Sequence, residues 1–172
     1  MNLDIKDNIF HPDDYDYLRD YARTAPYNYG EGDRMELLPT GVVHHVDINS
    51  SFAKNVDYQL KLNFEELKDL VFDRMYINCF APREDAFYHI DAPEQEIKSR
   101  TCLIYLTNGA WIPVMGGETF FYYEDQVIGV PPHPNRAICF RSSLLHRASS
   151  FREGHRFTLA VKYHPIEYLS KQ

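Results

Sequence analysis

The spacing of hydrophobic positions changes period near residue 73, and the change separates a helical stretch from a β-prone one. In the first stretch, residues 13–24 (DDYDYLRDYART) have helical spacing, with Tyr17, Leu18 and Tyr21 expected on one face. A polar, glycine-containing loop is expected over 26–33, and GVVHHVDI at 41–48 reads as a strand. Over 50–72, Phe52, Val56 and Leu60, then Phe64, Leu67, Leu70 and Val71, recur at helical intervals.

From Arg74 onward the chain breaks into eight β-prone runs: RMYINCFA, AFYHI, RTCLIYLT, ETFFYY, QVIGV, RAICFR, LLHRAS and HRFTLAVKYH. Gly109, Gly116-Gly117, Pro131-Pro132 and Gly154 mark several of the breaks. Helices followed by many short strands predict a mainly β barrel or sandwich with helices packed on one side. There is no internal repeat and no linker-like stretch. Residues 1–172 are therefore expected to form one domain, with 1–73 as helical support and 74–164 as the β core.

Composition agrees with that picture and narrows the function. Apolar residues make up 44% and aromatic residues 15%, including thirteen tyrosines and eleven phenylalanines, as suits a β-rich globular chain. The formal net charge is −7 with no basic run, so no nucleic acid partner is expected. Cys79, Cys102 and Cys139 each sit in an apolar run, and the absence of a C-x-x-C pair points to a reducing compartment. No stretch approaches the roughly 20 apolar residues of a membrane helix, so a cytoplasmic location without membrane contact is expected.

Two H-x-D tripeptides stand out, His45-Val46-Asp47 and His89-Ile90-Asp91. Alternation puts residues i and i+2 on one strand face, so either pair could converge on one ion. The first precedes a helical segment. The second lies within the β runs, where His146 in LLHRASS supplies a distant third ligand. Two imidazoles and one carboxylate with open positions favour non-haem Fe(II). Ten residues beyond His146, the strand HRFTLAVKYH places Arg156, Thr158, Ala160 and Lys162 on one face. A buried guanidinium there requires an anion, and a dicarboxylate co-substrate would supply one.

In the order HID, RTCLIYLTN, GGETFF, VPPHPNRAICF, His146 and GHRFTLAVKY, the chain from about residue 74 to 164 resembles the Fe(II)- and 2-oxoglutarate-dependent oxygenases. The closer likeness is to their prolyl-4-hydroxylase-like branch. The resemblance implies a double-stranded β-helix, or jelly-roll, core. It implies that His89, Asp91 and His146 bind Fe(II), and that Arg156 pairs with the far carboxylate of 2-oxoglutarate. Tyr105, Thr158 and Thr119 would line the same pocket. Where many relatives carry a tyrosine in the first core strand, this chain has Phe80 or, by a looser alignment, Tyr76. Lys162 replaces the bulky aromatic of some animal relatives and would face the site. The implied reaction hydroxylates an unactivated C–H bond with O₂, releasing succinate and CO₂. A prolyl residue in a peptide is the leading substrate, with a free amino acid or other small metabolite as the alternative. Tyr27, Tyr29 and Trp111 are expected near the rim as substrate-stacking side chains, and the charged segment 91–100 as a lid. A cupin-like metal protein without 2-oxoglutarate, and a non-enzymatic binding module, are the rival classes. The oligomeric state stays open.

Overall fold

A computed structural model describes residues 3–29 and 39–169. The expected loop over 26–33 lies outside the described residues from position 30. The elements run β1 (Leu3–Asp7), α1 (Pro12–Thr24), β2 (Val42–His45), α2 (Ser51–Asn63), β3 (Val71–Phe80), β4 (Arg100–Tyr105), β5 (Thr119–Tyr123), β6 (Gln126–Val130), β7 (Arg136–Arg141), β8 (His146–Ala148), β9 (Arg156–His164) and α3 (Ile166–Leu169). Six strands form the larger antiparallel sheet, in the order β1-β7-β4-β9-β3-β2. The smaller sheet is β6-β5-β8. The result is mainly β, a double-stranded β-helix with flanking helices.

Alternation along the strands of the larger sheet explains both of its faces. Met75 and Ile77, Cys102 and Ile104, Ala137 and Cys139, and Leu159 and Val161 point outward. They are buried against Leu18 and Ala22 of α1 and Ala53, Val56 and Leu60 of α2. The intervening Leu103, Tyr105, Ile138, Phe140 and Ala160 point inward, where Phe121, Val130 and Leu144 from the smaller-sheet side meet them. Helix starts are specified locally. Pro12 and Asp13-Asp14 open α1, and the Ser50 hydroxyl accepts from the Ala53 amide (3.1 Å) at the start of α2. All three cysteines are free and buried. Among the described residues, no helix is long and apolar enough to cross a membrane.

Several local expectations need correction. The buried face of α1 is Tyr15, Leu18 and Ala22, whereas Tyr17 is exposed. The Tyr15 hydroxyl donates to the carbonyl of Thr107 at 2.8 Å, which draws that side of the helix onto the sheet. The helix expected over 50–72 ends at Asn63. Phe64 and Leu67 are instead buried around a single 3₁₀ turn, and Val71-Phe72 pair with His164 and Tyr163 as the start of β3. The run 86–90 is not a strand. It meets β8 at two points, the Ala86 amide on the Ala148 carbonyl (3.1 Å) and the His89–His146 bridge, and beyond them the Asp91 and Ala92 amides both donate to the Ser142 carbonyl. Strand β1 was not expected at all. It pairs with β7, where Arg136 forks onto both Asp7 oxygens (2.7 and 2.9 Å) and the Asn135 side chain brackets Phe10.

Candidate functional site

His89 and His146 face each other across the bridge, with amide-to-carbonyl distances of 2.9 and 3.0 Å in the two directions and ring centres 4.5 Å apart. Each imidazole directs its Nδ1 at a backbone carbonyl two residues upstream, Phe87 for His89 (3.0 Å) and Leu144 for His146 (2.8 Å). Donation from Nδ1–H leaves both Nε2 lone pairs facing inward. Asp91 completes the group, its carboxylate 3.7 Å from the His89 Nε2 and 3.5 Å from the His146 Nε2. The three ligand atoms lie within 4.8 Å of one another, and no other such group of three occurs among the described residues. The His45-Asp47 pair lies outside it: Asp47 accepts the Asn49 amide, and the His45 ring packs on Tyr76.

Electrostatics suit these side chains to a cation. Burial pushes His146 down to about 4, so the ring is neutral and its lone pair available near neutral pH. Burial would raise the Asp91 carboxyl, but the Lys162 ammonium, with His146 and His89, outweighs it and holds the group well below the ordinary range. The Lys162 ammonium rests directly on Asp91 Oδ2, which also accepts the Thr101 hydroxyl at 2.7 Å. A positive charge thus already stands beside this carboxylate. Two lone pairs, one carboxylate and fixed tautomers fit a divalent metal.

A cavity of about 310 Å³ opens beside the triad between the sheets. The inward residues of β9 set its layout. Arg156 is fully enclosed at one end, its Nε donating to the Gly117 carbonyl (2.8 Å), one terminal nitrogen to Thr158 Oγ1 (2.7 Å) and the other to Thr119 Oγ1 (3.0 Å). A guanidinium carries five N–H groups, so these three bonds leave two donors, one on each terminal nitrogen. That pair matches the fork of a carboxylate. Burial lowers the Arg156 pKa, as expected of a cation whose hydrogen-bond partners are all neutral.

The remaining expected site residues separate into those at the cavity and those away from it. Thr119, Thr158, Lys162, Tyr76 and Phe80 line it. Pairing of β3 with β9 sets Phe80 opposite Arg156 and Tyr76 opposite Ala160, so the two candidate first-strand residues occupy different levels. Tyr105 is fully buried behind the lining, and its hydroxyl donates to Thr119 Oγ1 at 2.8 Å. It bears on the cavity through Thr119. Burial pushes that phenol up to about 12. Trp111 is not in the lining. Its indole N–H donates to the Gly116 carbonyl (2.7 Å) and its ring packs edge-on against His133. Tyr27 packs against His44 and Phe157, with its hydroxyl on the Ala22 carbonyl, and exposed Tyr29 is also absent from the lining. Within 91–100, Ser99 donates to Glu96 and contacts His164, which ties the segment down beside the site.

Sequence inspection missed Thr101, Gly117 and Arg74. Thr101 and Arg74 were detectable in principle, because Thr101 alternates with Leu103 and Tyr105 on β4, and Arg74 with Tyr76 on β3. The Gly117 carbonyl carries no side-chain signal.

Residues 75–164, just over half of the chain, match the family model of the 2OG-Fe(II) oxygenase superfamily. No curated protein matches the sequence. Among solved structures, the chain is similar to a Pseudomonas putida prolyl-4-hydroxylase, with a TM-score of 0.76 and 16% identity over 95% of this chain and 92% of that one. It is also similar to a Trichoplax adhaerens prolyl hydroxylase in complex with a hypoxia inducible factor oxygen degradation domain peptide fragment (TM-score 0.75, 15% identity, 99% and 87% of the two chains). A third is HygX from Streptomyces hygroscopicus with nickel and 2-oxoglutarate bound (TM-score 0.74, 11% identity, 95% and 83%). At such identities these likenesses speak for the fold.

Proposed function

Because the chain belongs to the 2OG-Fe(II) oxygenase superfamily, whose cofactors are Fe(II), 2-oxoglutarate and O₂, we propose that it hydroxylates an unactivated C–H bond, with a prolyl residue in a peptide as the leading substrate. His89, Asp91 and His146 would hold the iron. When bound, the iron supplies the means to activate O₂, so that one oxygen atom enters the substrate C–H bond and the other enters succinate as 2-oxoglutarate loses CO₂.

The protein's own part is binding, orientation and exclusion of water. Arg156 offers its two remaining N–H groups to the distal carboxylate of 2-oxoglutarate, with Thr158 and Thr119 beside it and the Gly117 carbonyl fixing the guanidinium plane. Tyr105 supports Thr119 from behind. Phe80 walls that end without donating a hydrogen bond. Thr101 and Lys162 hold Asp91 Oδ2, which fixes the orientation of the carboxylate toward the two imidazoles. The apolar side chains of the inner core, Phe121, Phe140 and Leu144, keep water from the buried His146.

One observation carries the co-substrate assignment: a fully buried arginine, with two N–H donors left over, in the same cavity as a His-Asp-His group. A cupin-like protein without 2-oxoglutarate has no use for that cation. The likeness to two prolyl hydroxylases supports the prolyl substrate. A free amino acid or other small metabolite is the second candidate, supported by the limited size of the cavity and by the fold shared with HygX, which has been solved with hygromycin B bound.

The experiment incubates iron-loaded protein with 2-oxoglutarate, O₂ and either proline-rich peptides or free amino acids, reading succinate release and the mass gain of one oxygen atom. Oxygen incorporation into a small metabolite and into no prolyl peptide would overturn the prolyl assignment. No succinate release with any substrate would overturn the enzyme class.

A further inference from the structure

The cavity-facing side of β3 carries Tyr76, Asn78 and Phe80 in a row, while Met75 and Ile77 are buried on the opposite face of the sheet. Asn78 is the odd member of that row. Asparagine is depleted from strands, yet this one lies inside β3, with Val43 of β2 and Thr158 of β9 as its Cα partners on either side. All three residues line the cavity. The neighbouring Thr158 hydroxyl is engaged by Arg156 (2.7 Å), and the Asn78 side chain makes no hydrogen bond with any described residue.

Strand register places this amide along the path of the co-substrate. On β3, Phe80 stands opposite Arg156, Asn78 opposite Thr158 and Tyr76 opposite Ala160. At the far end of the same β9 face, Lys162 rests on Asp91. A diacid anchored at Arg156 and directed toward the triad therefore passes the Thr158–Asn78 level. That level is two residues, or about 6.6 Å, from the anchor. The interval is close to the length of a five-carbon diacid, so the second carboxylate arrives beside Asn78. Phe80, at the anchor level, has no donor to offer. Tyr76 stands one level beyond, with its ring toward Lys162 (5.6 Å). Ligands that fill the cavity expel the water around Asn78, and an amide then left without a partner is costly. A carboxylate oxygen supplies the acceptor that its N–H groups need.

We propose that Asn78 is the β3 residue that binds 2-oxoglutarate, its side-chain N–H donating to the carboxylate next to the keto group. This rests on the oxygenase function proposed above and deepens its co-substrate site. Arg156 takes the distal carboxylate and Asn78 the inner one, so the two side chains together match both the length and the two charges of the diacid.

The test uses the full chain loaded with Mn(II) in the absence of O₂, with calorimetric titration of two ligands. One is 2-oxoglutarate. The other is 2-oxopentanoate, which keeps the 2-oxo acid end and lacks the distal carboxylate. Asn78→Leu, close in size and without a donor, should weaken both ligands by the same factor, on the order of tenfold. Asn78→Asp should weaken both further, because a carboxylate of the same shape then faces the ligand's own. Asn78→Gln keeps the amide and should recover part of the loss. Arg156→Ala should weaken 2-oxoglutarate and leave 2-oxopentanoate unchanged. A merely structural role for Asn78 would not produce this split, and metal content and unliganded melting temperature should match wild type in each Asn78 variant. Unchanged 2-oxoglutarate affinity in Asn78→Leu would overturn the inference. So would a loss confined to 2-oxoglutarate, which would place the amide at the distal end, or Asn78→Asp binding as tightly as wild type. Either result with normal wild-type 2-oxoglutarate binding removes this inference alone. Absence of 2-oxoglutarate binding by the wild-type protein would remove the function beneath it.

Discussion

Replacing Arg156 by alanine separates the co-substrate pocket from the metal group, and the structure sets the size of the effect. The guanidinium is 2% exposed, three of its N–H groups bond to neutral acceptors, and two are left for a carboxylate. Truncating one side of a desolvated, bidentate charge pair costs about 2 to 5 kcal/mol, so at the lower bound the 2-oxoglutarate Kd rises roughly thirtyfold. Thermal unfolding of Mn(II)-loaded protein without O₂ reads this directly. At a concentration of about 100 times the wild-type Kd, 2-oxoglutarate contributes about 2.7 kcal/mol; at a thirtyfold weaker Kd the same concentration contributes about 0.9 kcal/mol. For a chain of this length those values correspond to melting shifts of roughly 8 °C and roughly 3 °C. Arg156→Lys should fall between them, since lysine keeps the charge and loses the fork. Metal content should not change. A full-sized 2-oxoglutarate shift in Arg156→Ala, with metal bound as in wild type, would refute the co-substrate role.

His89→Ala or His146→Ala should each abolish stoichiometric metal binding, measured by metal analysis after gel filtration, because two remaining ligands compete poorly with water. His45→Ala should leave metal content intact; loss of metal in that variant alone would assign the site to the other H-x-D copy. Gly117→Ala should destabilise by roughly 2 to 4 kcal/mol in denaturant titration, since position 117 has φ +87° and a Cβ there collides with the Phe151 ring. The same variant should weaken 2-oxoglutarate binding, because the Gly117 carbonyl orients Arg156. Asp7→Asn should cost at most about 1 kcal/mol, as Asp7 is half exposed. The Arg136 hydrogen bond depresses the Asp7 carboxyl below 3.8, so its contribution is present above that value and disappears as pH falls below it. A wild-type-minus-variant stability difference that grows on acidification would contradict this.

Legibility in the sequence followed the range of the interactions. The faces of β9 were readable because an isolated period of two keeps Arg156, Thr158 and Lys162 together whatever the strand pairs with. The order of the H-x-D, His146 and Arg156 segments carried the metal and co-substrate expectations in the same way. Strand β1 was not readable, since LDIKD has a weak pattern and its partner lies on β7, over 130 residues away. The segment 86–90 has strand composition, but it meets β8 only through the Ala86 amide and the His89–His146 bridge, and the next two amides, of Asp91 and Ala92, share the Ser142 carbonyl. The α1 face was misjudged because Tyr15 and Tyr17 are chemically equivalent in sequence, and tertiary contacts distinguish them: Tyr15 packs into the core and its hydroxyl meets the carbonyls of Thr107 and Tyr105. Trp111, a natural candidate for stacking, is engaged by a backbone carbonyl and by His133, neither of which a local pattern reveals.

The position of β9 between β4 and β3 has a consequence for the order of assembly. These two strands do not pair with each other; each completes its ladder only through β9, which is made after both. A nascent chain that has produced eight strands therefore carries two half-sheets with open edges, one of β1, β7 and β4 and one of β3 and β2. Contacts of such large sequence separation form slowly, and open edges awaiting a partner invite association with other chains. Arg156, Thr158 and Lys162 enter on that same strand. The β9 side of the cavity comes into being in the step that closes the larger sheet, so a chain stalled short of it would hold His89, Asp91 and His146 but lack the buried arginine proposed to bind 2-oxoglutarate and the lysine that rests on Asp91.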